Sequence, residues 1–137
     1  MATVGGPHGS GKMVQSFREL LVWQRAMQLT LAIYKLTKGF PREEAYGLCG
    51  QLRRSAVSIP SNIAEGQARL STGEFRQFLG IARGSNAELQ TQLEIARDLG
   101  YSEGATITEA VGLSVEVGKM INAILQSLNA QPMAPDH

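Results

Sequence analysis

Read for hydrophobic and polar positions, the chain divides into four segments with a helical period, and no stretch carries the alternation of a strand. Leu20, Trp23, Met27, Thr30, Ile33, Tyr34 and Thr37 follow helical spacing and predict a first helix from about Phe17 to Lys38. Ser16 is its expected N-cap, Lys35 and Lys38 complement the dipole at its far end, and Gly39 is read as a C′ glycine with Pro41 preventing continuation. Leu48, Leu52, Ala56, Ile59 and Ile63 recur at steps of four, four, three and four, predicting a second helix from about Arg42–Glu44 to Ala68. Ser71 with Glu74 reads as a capping box opening a third helix, Thr72 to Leu99, whose seam is Phe75, Phe78, Ala82, Leu89, Leu93 and Ala96. Ser85 and Asn86 interrupt that seam, Gly84 beside them is expected to let a neighbouring helix approach closely, and Gly100 ends the helix.

The second helix contains Pro60. Proline has no amide hydrogen to give the carbonyl four residues back, here Ala56, and its ring crowds that carbonyl. In a helix interior this costs roughly 3 kcal/mol and usually kinks the axis. Two separate helices are the rival reading. The stripe keeps its phase across Pro60, and no glycine or turn cluster sits beside it, so one kinked helix is favoured. Ser58 and Ser61 are the hydroxyls expected to satisfy the freed backbone groups. Asn62 and Glu65 follow the apolar seam, and at least one is expected to bond an arginine or backbone group of another helix.

A fourth helix is predicted from Ser102 or Thr106 to Asn129, and it carries two stripes. Ile107, Val111, Ser114, Gly118, Ile121, Leu125 and Leu128 form one; Ala110, Leu113, Val117, Met120 and Ile124 form the other. A bundle helix needs one apolar face of roughly 100°. The second stripe is therefore assigned to contact with another copy, through Leu113, Val117, Met120 and Ile124. Together the segments predict an all-α, antiparallel up-down-up-down four-helix bundle with a kinked second helix, spanning residues 16–129. Disordered tails are expected at 1–15, which is rich in glycine and small polar residues, and at 130–137.

Composition narrows the function more by exclusion than by signature. Thirteen basic against twelve acidic residues give a net charge of +1, so any binding to polyanions must rest on a local patch. The single cysteine, Cys49, excludes an internal disulfide and sits beside an apolar stripe, which favours a buried thiol. No apolar run approaches the roughly 20 residues that span a bilayer, and the N-terminus lacks the order of a signal peptide. A cytoplasmic protein without membrane contact is the expectation.

Catalytic chemistry finds little support. Gly6–Lys12 nearly matches a phosphate-binding loop, but Met13 stands where a magnesium-holding hydroxyl is needed, and no strand precedes it. The two histidines, His8 and His137, lie in the tails, which leaves a di-metal bundle site and a serine or cysteine nucleophile without partners. No catalytic residue, metal or cofactor is expected. Arg76, Arg83 and Arg97 share a seven-residue spacing, with Gln90 filling the missing step, and Arg69 precedes them in phase. Such a row can bind phosphates, but the residues on their own favour a solvated face interleaved with Glu94 and Asp98. No aromatic residue interleaves it, so base stacking on single strands is not indicated.

The segment Arg53-Arg54-Ser55-Ala56-Val57-Ser58-Ile59-Pro60-Ser61-Asn62-Ile63-Ala64-Glu65-Gly66 resembles a known family. So do Phe17 to Gln24, Phe40-Pro41, Tyr46-Gly47-Leu48, Glu74-Phe75, Gly84-Ser85, Ala87 to Leu93 and Leu99-Gly100-Tyr101. The family is that of the four-helix-bundle proteins named after 23S ribosomal RNA intervening sequences, and the likeness runs from about Phe17 to Leu128. The resemblance implies a bundle assembling as a ring-like homopentamer, with no established enzymatic activity. A related branch, the accessory proteins of diversity-generating retroelements, binds nucleic acid and a reverse transcriptase through a basic surface. On that footing the chain is expected to be non-enzymatic, homo-oligomeric and associated with RNA or a ribonucleoprotein partner. The candidate contacts are Arg53, Arg54, Arg69, Arg76 and Arg83. The alternative is an oligomeric protein-binding scaffold that touches no nucleic acid. Whether Arg53 and Arg54 meet RNA or brace the bundle through Glu65 or Glu88 of a neighbour stays open at this point.

Overall fold

The computed structural model describes residues 16–102 and 104–130; the tail expected over 1–15 and the one beyond Ala130 lie outside the described residues. Four helices carry the fold: α1 (Leu21–Thr37), α2 (Leu48–Ala68), α3 (Thr72–Asp98) and α4 (Ala105–Ala130). Short 3₁₀ turns at Phe17–Glu19 and Arg42–Glu44 precede α1 and α2, and no strand occurs among the described residues. The chain is an all-α four-helix bundle. α1 packs on α2, α2 on α3, α3 on α4, and α4 closes back on α1. Hydrogen-bonded pairs and close approaches give the direction. Residues 30 and 37 of α1 meet 56 and 53 of α2; 58 and 66 of α2 meet 85 and 75 of α3; 83 and 86 of α3 meet 122 and 114 of α4. The numbers rise on one helix as they fall on the next, so consecutive helices run antiparallel.

The helix boundaries differ from expectation at two starts. Phe17 does not open α1: the Ser16 hydroxyl accepts from the Arg18 amide at 3.1 Å and caps a separate 3₁₀ turn, and Leu20 is extended between the two. Arg42–Glu44 likewise form a turn, not the first turn of α2. The Glu44 carboxylate then reaches forward. Its Oε1 accepts from the Leu48 amide at 3.0 Å, satisfying an end group of α2, and its Oε2 accepts from the Tyr101 hydroxyl at 2.7 Å. Phe40 packs on the Tyr101 ring, with centroids 5.5 Å apart, so the α1–α2 and α3–α4 connections are joined at one end of the bundle.

The ends are closed by different chemistry. Gly39 does not take a left-handed conformation; Gly39 and Phe40 bond back to Leu36 and Thr37 instead. Gly100 does, at φ 75°, and the Tyr101 and Gly100 amides reach Ala96 and Arg97 in a Schellman closure. Ser71 caps α3 as expected, its Oγ accepting from the Glu74 amide at 3.1 Å.

Helix α2 runs unbroken through Pro60, which is buried. The Ala56 carbonyl is satisfied, though not by Ser58 or Ser61. Thr30 Oγ1 of α1 lies 3.1 Å from Ala56 O and 2.9 Å from its own Ala26 O, so one hydroxyl hydrogen is shared between the two helices. The interruption of α3's seam is explained in the same way. Ser58 and Ser85 share a hydrogen bond of 2.7 Å between α2 and α3. Buried Asn86 donates to Ser114 O of α4 at 3.0 Å while Ser114 Oγ donates back to Asn86 Oδ1 at 2.8 Å. Arg25 and Glu116 form an ion pair of 2.8 Å between α1 and α4. Each of the four seams thus carries a polar stitch. Close backbone approach occurs not at Gly84, which has open space where a Cβ would stand, but at Gly66 and Gly118. A Cβ on Gly66 would meet Phe78 Cβ at 2.8 Å, and one on Gly118 would meet Asn86 Nδ2 at 3.1 Å.

Both stripes of α4 contribute to the core of one copy. Its buried line is Ile107, Ala110, Ser114, Val117, Ile121 and Leu125, drawn from both stripes. Val117 is fully buried in this core and so is not available to another subunit. Leu113, Met120 and Ile124 are half-buried beside the core, and Val111 and Leu128 are their counterparts from the other stripe. A helix in a square bundle has two neighbours, so its apolar face is wider than a single seam requires.

Candidate functional site

The five arginines singled out from the sequence do not converge. Arg53 is half-buried in the α1–α2 seam, its Nε donating to Thr37 Oγ1 at 2.8 Å and its guanidinium 4.6 Å from the Tyr34 ring centroid. Within one copy it braces α1 on α2 through Thr37 and Tyr34, and neither Glu65 nor Glu88 of that copy pairs with it. Arg54 is exposed on the opposite flank of α2, facing α3. Arg69 sits at the end of α2, bonded to Glu65 at 2.7 Å, within 3.9 Å of Glu74, and stacked 4.9 Å over the Phe78 ring. Its charge is already compensated.

Arg76, Arg83 and Arg97 do share a flank of α3. The bond from Arg83 Nη1 to Asn122 Oδ1 of α4, 3.2 Å long, marks it as the flank toward α4. None of the three has a carboxylate within ion-pair distance among the described residues. Arg83 and Arg97 are exposed; Arg76 is half-buried, and its Nε is buried without a hydrogen-bond partner. Asn62 and Glu65 find their partners on α2 itself: Asn62 Nδ2 donates to Ser58 O at 2.8 Å and to Ser58 Oγ at 3.0 Å, and Glu65 takes Arg69. The expected bond from either residue to another helix is not made. Asn62 reaches α3 at one remove, through the Ser58–Ser85 pair.

Between α2 and α3 lies a polar cleft of ≈ 230 Å³, lined by Gln51, Arg54, Ser55, Ser58, Ser85, Glu88 and Gln92. Sequence reading picked out only Arg54 of these as a binding residue. The signal was present as a second period. Gln51, Ser55, Ser58 and Asn62 step by four, three and four on α2, and Ser85, Glu88 and Gln92 step by three and four on α3. Gln92 is 6% exposed, and its Oε1 is buried with no hydrogen-bond partner.

The comparisons with known proteins bear on this arrangement. The family model described as the 23S rRNA-intervening sequence protein matches residues 18–123, most of the chain and all but the last turns of α4. The chain belongs to this family. Among solved structures, it is similar to the crystal structure of a protein of unknown function from the S23 ribosomal protein family of Bacteroides thetaiotaomicron. That likeness has 24% identity and a TM-score of 0.71, and covers 77% of this chain and 98% of the other. At that identity it supports the bundle fold and nothing finer. No curated protein matches the sequence significantly. No helix among the described residues is long and apolar enough to cross a membrane.

Proposed function

We propose that this family member is a non-enzymatic helical bundle that assembles with copies of itself, as a homopentamer, and associates with structured RNA or a ribonucleoprotein through phosphate contacts. The observation that carries the RNA reading is the flank of α3 on which Arg76, Arg83 and Arg97 stand without a carboxylate partner among the described residues. Guanidinium groups are the preferred partners of phosphate oxygens, and uncompensated ones retain that capacity. Arg53 and Arg69 leave the candidate set, because stacking and ion pairs already occupy them. A ring repeats the row around its axis, so weak single contacts add by avidity.

The test is a titration of a structured RNA at low and moderate salt against wild type and the double variant Arg83→Glu/Arg97→Glu, both exposed positions. Wild type binds with a steep salt dependence and little sequence preference. The variant loses binding, and its salt slope falls by about one for each lost contact. RNA binding that is absent at low salt, or unchanged in the variant, removes this reading.

The alternative, a protein-binding scaffold, draws on a different observation. Large apolar side chains stand outward on the helices, with Leu31 of α1 64% exposed and Ile81 and Ile95 of α3 45% and 44% exposed. Sedimentation addresses the assembly itself: a mass of five copies at micromolar concentration is expected, and a monomer mass contradicts it.

A further inference from the structure

The α2–α3 cleft lies on the opposite flank of α3 from the unpaired arginine row, and it plays no part in the function proposed above. Its chemistry is specific. Gln92 lines it with a side chain only 6% exposed, and its Oε1 has no hydrogen-bond partner among the described residues. Ser55 also lines it, is 5% exposed, and its hydroxyl makes no hydrogen bond among the described residues. Ser58 Oγ accepts from Asn62 Nδ2 and shares a hydrogen bond with Ser85 Oγ in which either hydroxyl can be the donor. At the mouth stand one cation and one anion, Arg54 and Glu88, which form no ion pair with each other. The volume of ≈ 230 Å³ is below the roughly 300–1,000 Å³ of sites that take drug-sized molecules.

We infer that the α2–α3 cleft is a binding site for a small zwitterion of free amino-acid size. Glu88 attracts an ammonium group, and a turn of the Gln92 amide toward the cleft lets Oε1 accept from it. A carboxylate meets the guanidinium of Arg54, the side chain suited to it in charge and shape. The hydroxyls of Ser55 and Ser85 fill remaining donor and acceptor positions. Gln92 separates this cleft from a groove lined by exposed side chains alone: it is nearly buried there, and no protein group among the described residues satisfies its Oε1.

The test uses the full chain and a panel of free amino acids at millimolar concentration, with methylammonium and acetate as the two half-molecules. Binding is read by saturation-transfer NMR on the ligand and by the thermal midpoint of the protein. At least one amino acid gives saturation transfer and raises the midpoint, and neither half-molecule does so alone at the same concentration. Arg54→Gln, at an exposed position, weakens that affinity about tenfold or more. Gln92→Met removes the response while leaving the empty protein at least as stable as wild type, because the unpaired acceptor is gone. The Arg83→Glu/Arg97→Glu variant keeps the response, so failure here and failure of the RNA reading are separable. The inference is overturned if no amino acid binds, if methylammonium or acetate alone binds as well, or if both cleft variants respond like wild type.

Discussion

Replacing Thr30 with valine isolates the bond that lets a proline sit inside α2. Valine matches threonine in shape, so no cavity term arises. What disappears is the hydroxyl that lies 3.1 Å from Ala56 O, the carbonyl for which Pro60 supplies no amide. Leaving a buried carbonyl unpaired costs about 1–3 kcal/mol. The hydroxyl hydrogen is shared with Ala26 O, 2.9 Å away, so the loss falls in the lower half of that range, about 1–2 kcal/mol. For a domain of this size that is a fall of about 3–10 °C in the thermal midpoint. The assay is urea unfolding followed by circular dichroism at fixed protein concentration, run as a double-mutant cycle with Pro60→Ala. An alanine at 60 returns an amide to Ala56 O, and in that background the cost of Thr30→Val falls below about 0.5 kcal/mol. Equal costs in both backgrounds, within the roughly 0.5 kcal/mol of ordinary additivity, would refute the reasoning.

Three further outcomes follow from the packing and the loops. Gly84→Ala, with open space around its Cβ, stabilises by about 0.8–1 kcal/mol through helix propensity, whereas Gly66→Ala pushes into Phe78 and costs about 1–3 kcal/mol; denaturation midpoints of the two variants should move in opposite directions. Val117→Lys places a charge in the core and abolishes folding as seen by circular dichroism, while Leu113→Lys, at a half-buried position, keeps helicity and lowers the sedimentation mass if α4 contributes to assembly. The Glu44 carboxyl is held below its ordinary 4.5 by the Leu48 amide and then by the Tyr101 hydroxyl, and Tyr101 is pushed above its ordinary 10.0 chiefly by its bond to Glu44. The lowered group stabilises above its unfolded pKa and loses this as pH falls through the folded value. The raised group stabilises below its unfolded pKa and loses this as pH rises through the folded one. Tyr101→Phe therefore flattens the alkaline limb of the stability–pH curve and makes the acid limb shallower.

Helix number, order and most ends were legible because apolar period, caps and glycines are local signals. Ser71 and Gly100 announced themselves, and the unbroken phase across Pro60 held α2 together in the reading as it does in the structure. What stayed hidden was cross-helix partnership. The donor for Ala56 O comes from Thr30, twenty-six residues away in sequence, and nothing near Pro60 points to it. The start of α2 was placed too early because a Glu pair in a first turn looks the same whether it lies inside the helix or caps it from outside. For the arginines, spacing correctly put Arg76, Arg83 and Arg97 on one flank. It could not reveal that Arg53 is spent on Tyr34 and Thr37 and Arg69 on Glu65. On α4 the stripe count misassigned Val117 for a geometric reason: a helix with two neighbours buries more of its circumference than one seam.

The four polar stitches carry a consequence for how the helices choose their alignment. Leucine and isoleucine seams are nearly self-similar after one helical turn, so an apolar bundle can slide by about 5.4 Å and still find contacts. Thr30 with Ala56, Ser58 with Ser85, Asn86 with Ser114 and Arg25 with Glu116 have no such periodicity. A slide of any helix by one turn breaks its bonds to both neighbours at once and strands buried polar atoms against hydrocarbon. The stitches act as a vernier: beyond what each bond contributes to stability, they leave a single setting in which all four read zero.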